Sequence, residues 1–131
     1  MALILDTSML IDIQRKKKET IKKLEEIYRS HLELPNITFI NYFEFYQGLI
    51  EKNAKNQDLL IQFINKFTCL NTSRATARIL ANLKYKYESQ GLLMALADLI
   101  IAAQVIENNG ILITKDKVFE KIEEINKIVL D

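Results

Sequence analysis

The sequence predicts an α/β domain: a mostly parallel central sheet with helices on both faces. Three observations carry this. Short apolar runs at 2–6 (ALILD), 36–41 (NITFIN), 68–71 (TCLN), 111–114 (ILIT) and 127–130 (KIVL) alternate with longer stretches of helical periodicity. A helical stretch between successive strands makes parallel pairing with right-handed crossovers the expected topology. The chain has 131 residues, 49% of them hydrophobic and 27% charged, with one Pro and three Gly, which suits one domain around one core, spanning 1–131.

Taken in order, ALILD is uniformly apolar and ends in an acid, as a buried parallel strand emptying into a site would. TSMLIDIQ follows as a helix, with Ser8 as its candidate N-cap. RKKK (15–18) leads into ETIKKLEEIYRSHLEL, where Ile21, Leu24, Ile27, Tyr28 and Leu32 recur at helical spacing until Pro35 ends the element. NITFIN turns from strand into the helix YFEFYQGLIEKN. Gly48 lies inside that helix at a cost of about 1 kcal/mol relative to Ala, which predicts close packing there. QDLLIQFINKF (57–67) is a short amphipathic helix and TCLN a weak strand. SRATARILANLKYKYESQ (73–90) is a long amphipathic helix with Ser73 as N-cap and Gly91 as stop. MALADLIIAAQV (94–105) lies in a helix apolar on nearly every side except at Asp98, and it ends at Asn108, Asn109 and Gly110, the glycine suited to the cap. KDKVFEKIEE reads as a short helix before the last strand.

Several function classes drop out. A single cysteine, Cys69, forms no internal disulfide, and within the apolar FTCL it is expected to be a buried, inert thiol. One Cys and one His leave no sulfur-ligated zinc site, and His31 is expected at the surface near a helix end. MALIL lacks a basic region and runs straight into Asp6, so it is not read as a secretion signal. No apolar span approaches the roughly 18 residues of a membrane helix. The expected location is the cytoplasm. A formal charge of +1 by itself names no partner.

The acids carry the chemistry. Open α/β sheets bind ligands at the carboxyl ends of their strands. Asp6 ends the first strand, Asp116 lies two residues past ILIT, Glu44 sits in the first turns of the helix after ITFI, and Asp98 is near the start of its own helix, with Ala95 and Ala102 one turn away. Taken singly, Asp6 and Asp116 could cap helices, Glu44 could be solvated, and Asp98 could pair with a buried Lys or Arg. One cluster accounts for all four positions. A carboxylate carried into an apolar interior costs several kcal/mol, at least roughly, unless compensated, and clustered carboxylates repel unless a cation intervenes. Oxygen ligands without Cys or His favour Mg²⁺ or Mn²⁺. A divalent ion shared with Asp6 is therefore the expected partner of Asp98.

LDTSMLID, FINYFEFYQGL, GLLMALADLIIAAQV and ILITKDKVF resemble, in this order and over nearly the whole chain, the motifs of the PIN-domain nucleases, most of all the small prokaryotic VapC-like toxins. The resemblance puts the motif acids on Asp6, Glu44, Asp98 and Asp116, and the family's hydroxyls on Thr7 or Ser8 and on Thr114. It implies a metal-dependent ribonuclease, a homodimer, and a small antitoxin as partner. Gln104 stands where a small residue is usual, and TKDKVF replaces a more common Asn-containing form; neither removes an acid.

On that reading Asp6, Asp98 and Asp116 hold one or two Mg²⁺ or Mn²⁺ ions, and Glu44 either ligates or orients the attacking water. Ser8 and Thr114 either hydrogen-bond carboxylates or a metal-bound water, or satisfy a helix cap and a strand end. Setting the four acids aside leaves 13 of the 17 acidic side chains against 18 basic ones, a surplus of five that could face phosphates. Arg15, Lys16, Lys17, Lys18, Lys115 and Lys117 are the candidate RNA backbone contacts, the basic run being otherwise a solvated helix start. Tyr42, Phe43, Phe45 and Tyr46 flank Glu44, either as helix packing or as part of a protein interface. Two other phosphoryl-transfer folds fit less well: Ser8 stands where a haloacid-dehalogenase-like phosphatase needs a second acid, and TCLN lacks the aspartate of a receiver domain. A stand-alone RNA-processing nuclease and a non-catalytic binding module on the same fold stay open.

Overall fold

The first strand of the chain becomes the middle strand of its sheet. The computed structural model describes residues 1–31, 34–53 and 55–131. Among them five strands, β1 (Ala2–Leu5), β2 (Asn36–Thr38), β3 (Thr68–Leu70), β4 (Gly110–Thr114) and β5 (Asn126–Val129), lie in the order β3-β2-β1-β4-β5. Every neighbouring pair is parallel. The chain builds outward from β1 through β2 to β3, then returns to the other flank of β1 for β4 and β5. The order thus reverses beside β1, and such a reversal opens a crevice at the carboxyl ends of the two strands flanking it.

Side-chain alternation on β1 sorts the core into two layers. Leu3 and Leu5, with Ile37 and Ile113, pack against Met9, Leu10, Leu24, Phe45, Leu49 and Ile64. These come from α1 (Thr7–Gln14), α2 (Lys18–His31), α3 (Phe39–Glu51) and α4 (Gln57–Ile64). Ile4 and Leu112 face the other way, onto Leu83 and Tyr87 of α5 (Arg74–Ser89) and Leu99 and Ile101 of α6 (Leu96–Glu107). Leu3, Ile4 and Leu5 are completely buried, each contributing about 1.5–3 kcal/mol relative to an exposed side chain. That burial explains why ALIL reads as one unbroken apolar run.

The helix signals were partly right. Ser73 caps α5 through a reciprocal pair with Thr76, and Gly91 follows with φ +75°. Ser8, by contrast, is not the cap of α1: Asp6 holds that position, and its side chain makes no cap bond. The left-handed residue after α6 is Asn109 (φ 47°), not Gly110. Gly110 opens β4, where an added Cβ would stand 2.5 Å from Ile4 Cδ1 and 3.1 Å from the Ala2 carbonyl oxygen, so close strand approach requires it. Gly48 shows the reverse: among the described residues, no atom beyond its chain neighbours and its own helix backbone lies within 4 Å of an added Cβ, so the expected tight packing is absent there. Cys69 is exposed on the edge strand β3, its thiol turned toward the Thr38 carbonyl at 3.8 Å, rather than buried. KDKVFEKIEE yields a single 3₁₀ helix at Lys117–Lys121. Leu32, placed by its spacing on the α2 apolar face, lies outside the described residues.

Candidate active site

The crevice beside β1 gathers side chains from four places in the sequence. Asp6 leaves the end of β1, and its backbone N–H donates to the Ile113 carbonyl at 3.0 Å, which continues the β1–β4 ladder to the edge of the cleft. Thr114 ends β4, and Asp116 follows it. Glu44 stands in the second turn of α3, and Asp98 in the first turn of α6. Asp6 is buried, Glu44 and Asp98 are half-buried, and Asp116 is exposed. Asp98 is less enclosed than its apolar sequence suggests. The buried stretch of α6 is Leu99 to Val105, with Ile100 half-buried, while α6 starts only at Leu96, itself 52% exposed, and Ala95 precedes the helix as its N-cap.

A hydrogen-bond network holds the deeper acids. Asp6 Oδ2 accepts from the Thr114 hydroxyl at 2.6 Å, and Asp6 Oδ1 from Asn41 Nδ2 at 2.9 Å. Asn41 Nδ2 also donates to Thr7 Oγ1 at 3.1 Å, and the Thr7 hydroxyl donates to Glu44 Oε1 at 2.7 Å. Thr114 Oγ1 accepts the Asp116 backbone N–H at 2.9 Å. Asp116 Oδ1 accepts the backbone N–H of Val118 at 3.0 Å, so this acid does cap the 3₁₀ helix as well as facing the cleft edge.

The four carboxylates sense one another. Burial, then the charges of Asp116, Asp6 and Glu44, push the Asp98 carboxyl up to about 6. Burial raises Glu44 too; the Thr7 hydroxyl opposes this and the charges of Asp6 and Asp116 add to it. Asp6 is raised by its burial against the lowering donors Thr114, Thr7 N–H and Asn41, with Asp116 pushing it further up. Among the described residues, no Lys or Arg is ion-paired with any of the four.

This donor set fits a hard divalent cation: the candidate ligands are carboxylate oxygens, and among the described residues no basic side chain is paired with their like charges. Among the described residues, no three acidic, imidazole or thiol side chains already stand as a closed ion-binding group. Asp6 turns both oxygens to neutral donors, Asn41 and Thr114.

Other predicted residues go elsewhere. Among the described residues Ser8 Oγ makes no hydrogen bond to a carboxylate; it accepts the Lys115 backbone N–H at 3.2 Å, and Thr7 makes the carboxylate contact. Lys115 is drawn into an ion pair, its ammonium 2.5 Å from Asp12 Oδ2. Asp12 is a buried acid that the sequence reading passed over; it also accepts from the Thr20 hydroxyl at 2.7 Å and lies 3.5 Å from Lys17. Burial works against its charge, but Lys115 and Thr20, with Lys17 nearby, bring its carboxyl below the ordinary value. Arg15, Lys16 and Lys17 are exposed between α1 and α2, Lys18 is exposed at the start of α2, and Lys117 is exposed beside Asp116. Phe45 packs in the core, whereas Phe43 and Tyr46 join Phe39 and Ile50 around an exposed groove of about 590 Å³ along α3.

Asn41 was also passed over. Its signal was the spacing Thr38-x-x-Asn41 at a helix start, the arrangement of a reciprocal cap. Gln104, which departs from the small residue usual there, is fully buried; it accepts the Phe39 backbone N–H at 3.0 Å and donates to the Leu70 carbonyl at 2.9 Å, tying α6 to the start of α3 and to β3.

Comparison with known proteins gives one family and one fold. The profile described as PIN domain matches residues 3–125. No curated protein sequence matches. A chain in the crystal structure of VapBC2 from Rickettsia felis, bound to a DNA fragment from their promoter, superposes with a TM-score of 0.82 at 19% identity, covering 100% of both chains. A chain of VapBC-1 from nontypeable Haemophilus influenzae gives 0.82 at 22%, covering 98% of each. A chain of a toxin–antitoxin complex from Klebsiella pneumoniae gives 0.71 at 25%, covering 95% of each.

Proposed function

Because this chain belongs to the PIN domain family, we propose that it is a metal-dependent endoribonuclease whose cleft is lined by Asp6, Glu44, Asp98 and Asp116, and that it is the toxin of a type II toxin–antitoxin pair. One observation carries this reading: hydrogen bonds through Asn41, Thr7 and Thr114 bring Asp6, Glu44 and Asp116 together, Asp98 feels their charge, and no basic side chain is paired to any of the four among the described residues. Asp6, Asp98 and Asp116 would hold Mg²⁺ or Mn²⁺, and Glu44 would join them or orient the attacking water. Bound there, either ion supplies a Lewis acid for the scissile phosphate and acidifies water at neutral pH. In net terms one water would add across the P–O3′ bond, its hydroxyl going to phosphorus and its proton to the departing O3′, giving a 5′-phosphate and a 3′-hydroxyl. Thr114 fixes the rotamer of Asp6, and Thr7 that of Glu44.

The exposed Arg15, Lys16, Lys18 and Lys117 are the basic residues that suit RNA phosphates in this reading. The likeness to chains solved within toxin–antitoxin structures supports a small antitoxin as partner. Phe39, Phe43, Tyr46 and Ile50, spaced along one exposed side of α3, support a protein-covered face and a homodimer. Such an enzyme acts in the cytoplasm; among the described residues no helix is long and apolar enough to cross a membrane.

The test is RNA cleavage by the wild type and Asp6→Asn, with Mn²⁺ and with EDTA. Loss of cleavage in EDTA and in the variant is the expected result. Cleavage that survives both, or a wild type that cuts nothing with Mn²⁺ present, overturns the proposal, the second outcome in favour of a non-catalytic binding module.

A further inference from the structure

We propose that Asn41 is a positioning residue that sets the orientation of Asp6 and Glu44 toward a bound divalent cation; the inference rests on the metal-dependent reading above. Asn41 is completely buried, and all its side-chain hydrogen-bonding capacity is committed. Its Oδ1 accepts twice from Thr38, from the backbone N–H at 3.0 Å and from the hydroxyl at 2.7 Å, while Thr38 Oγ1 accepts the Asn41 backbone N–H at 3.1 Å. These bonds anchor the amide to the first turn of α3 and fix which end carries the hydrogens. The two Nδ2 hydrogens therefore point away from the cap, one to Asp6 Oδ1 and one to Thr7 Oγ1.

The second bond has a directional consequence. A hydroxyl that accepts from Asn41 presents its own hydrogen elsewhere, and that hydrogen goes to Glu44 Oε1. The chain runs one way, from the Thr38 cap through the Asn41 amide to Asp6 directly and to Glu44 through Thr7. Asp6 and Glu44 lie 38 positions apart on different elements, and Asn41 is the group whose hydrogen bonds reach Asp6 and, by Thr7, Glu44. It touches neither a substrate nor an ion, and it acts by holding two ligand candidates in fixed rotamers. Neighbours that orient ligating side chains commonly change metal affinity about 10–100-fold when altered.

The experiment is Mn²⁺ titration by calorimetry of the full chain, well below its melting temperature, on the wild type, Asn41→Ser, Thr7→Val, the double variant and Gln104→Leu. Gln104 is an equally buried polar group that joins α6 to α3 and β3 and contacts none of the four acids, so it reports purely structural damage. Asn41→Ser and Thr7→Val are each expected to weaken Mn²⁺ binding about tenfold or more. The double variant should be no weaker than the weaker single, since both cut one chain, and Gln104→Leu should bind as the wild type does. Folded Asn41→Ser that binds within about twofold of the wild type overturns the inference, as do losses that multiply in the double variant or an equal loss in Gln104→Leu. Should Asn41→Ser not fold, Thr7→Val decides: binding within about twofold of the wild type overturns the inference. A wild type that binds no Mn²⁺ overturns the metal-dependent function itself and this inference with it, an outcome distinct from wild-type binding unchanged by Asn41→Ser.

Discussion

Thr114 and Asp6 stand 108 residues apart in sequence, and the Thr114 hydroxyl donates to Asp6 Oδ2 at 2.6 Å. The same hydroxyl oxygen accepts the Asp116 backbone N–H. One completely buried side chain thus holds the rotamer of one acid and the backbone of another. Thr114→Val keeps the shape and removes both bonds. It is expected to cost about 1–3 kcal/mol in urea denaturation, because a buried carboxylate oxygen and a part-buried N–H lose their partner, and to weaken Mn²⁺ binding in the same preparation.

Asp98 gives a pH test. Its carboxyl is raised to about 6 in the fold, against roughly 3.9 for an unfolded chain. Between these values the folded state binds more protons than the unfolded one, so the metal-free protein loses stability as pH rises from about 4 to 6. Asp98→Asn should lack this part of the loss. Since Asp98 is half-exposed and screened, the variant should be more stable than wild type at pH 7 by only about 1 kcal/mol, and Mn²⁺ should narrow or reverse the difference. Paired denaturation curves at pH 4.5 and 7 measure it.

The Lys115–Asp12 pair predicts a stability effect where RNA contact would predict an activity effect. Lys115→Met leaves the buried Asp12 with Thr20 and the more distant Lys17. The expected cost is about 2 kcal/mol, below the range for a fully buried pair because Lys115 is partly exposed. Denaturation midpoints test this. An unchanged midpoint with weaker RNA binding would return Lys115 to the phosphate-contact role.

The two helix-and-strand glycines should respond with opposite signs. Gly48→Ala meets open space inside α3 and should stabilise by about 0.5–1 kcal/mol. Gly110→Ala drives a methyl into Ile4 and the Ala2 carbonyl and should destabilise by about 1–3 kcal/mol. Thermal melts of the two variants suffice.

The basic run has a salt signature. Lys16 and Lys18 are exposed and have no acid paired with them among the described residues, unlike Lys17. If both meet phosphate, Lys16→Ala/Lys18→Ala should reduce the slope of log affinity against log salt by about 1.4 for single-stranded RNA. An unchanged slope removes this contact.

The strands and the acids were legible because each obeys a local rule. ALIL is apolar throughout since both its faces are covered, and Asp6 marks where the cover stops. The role of Gly110 was not legible, because what forbids a side chain there is Ile4 from another strand, a contact no local pattern encodes. Asp98 was read as more enclosed than it is, since the sequence shows an apolar helix but not where its first turn leaves the core. Asn41 and Asp12 were passed over for a related reason. Each looks like an ordinary polar residue in a helix, and its importance comes from partners far off in sequence: Asp6 for Asn41, Lys115 for Asp12.

Placing β1 at the centre of the sheet also orders events in time. Asp6 is synthesised before the strand that completes its surroundings and before the acids on and beyond α6, which follow about a hundred residues later. Until then the oldest strand lacks its β4 neighbour, and the crevice has one wall. A nascent chain of this topology therefore lacks the assembled crevice until α6, β4 and Asp116 have all been made.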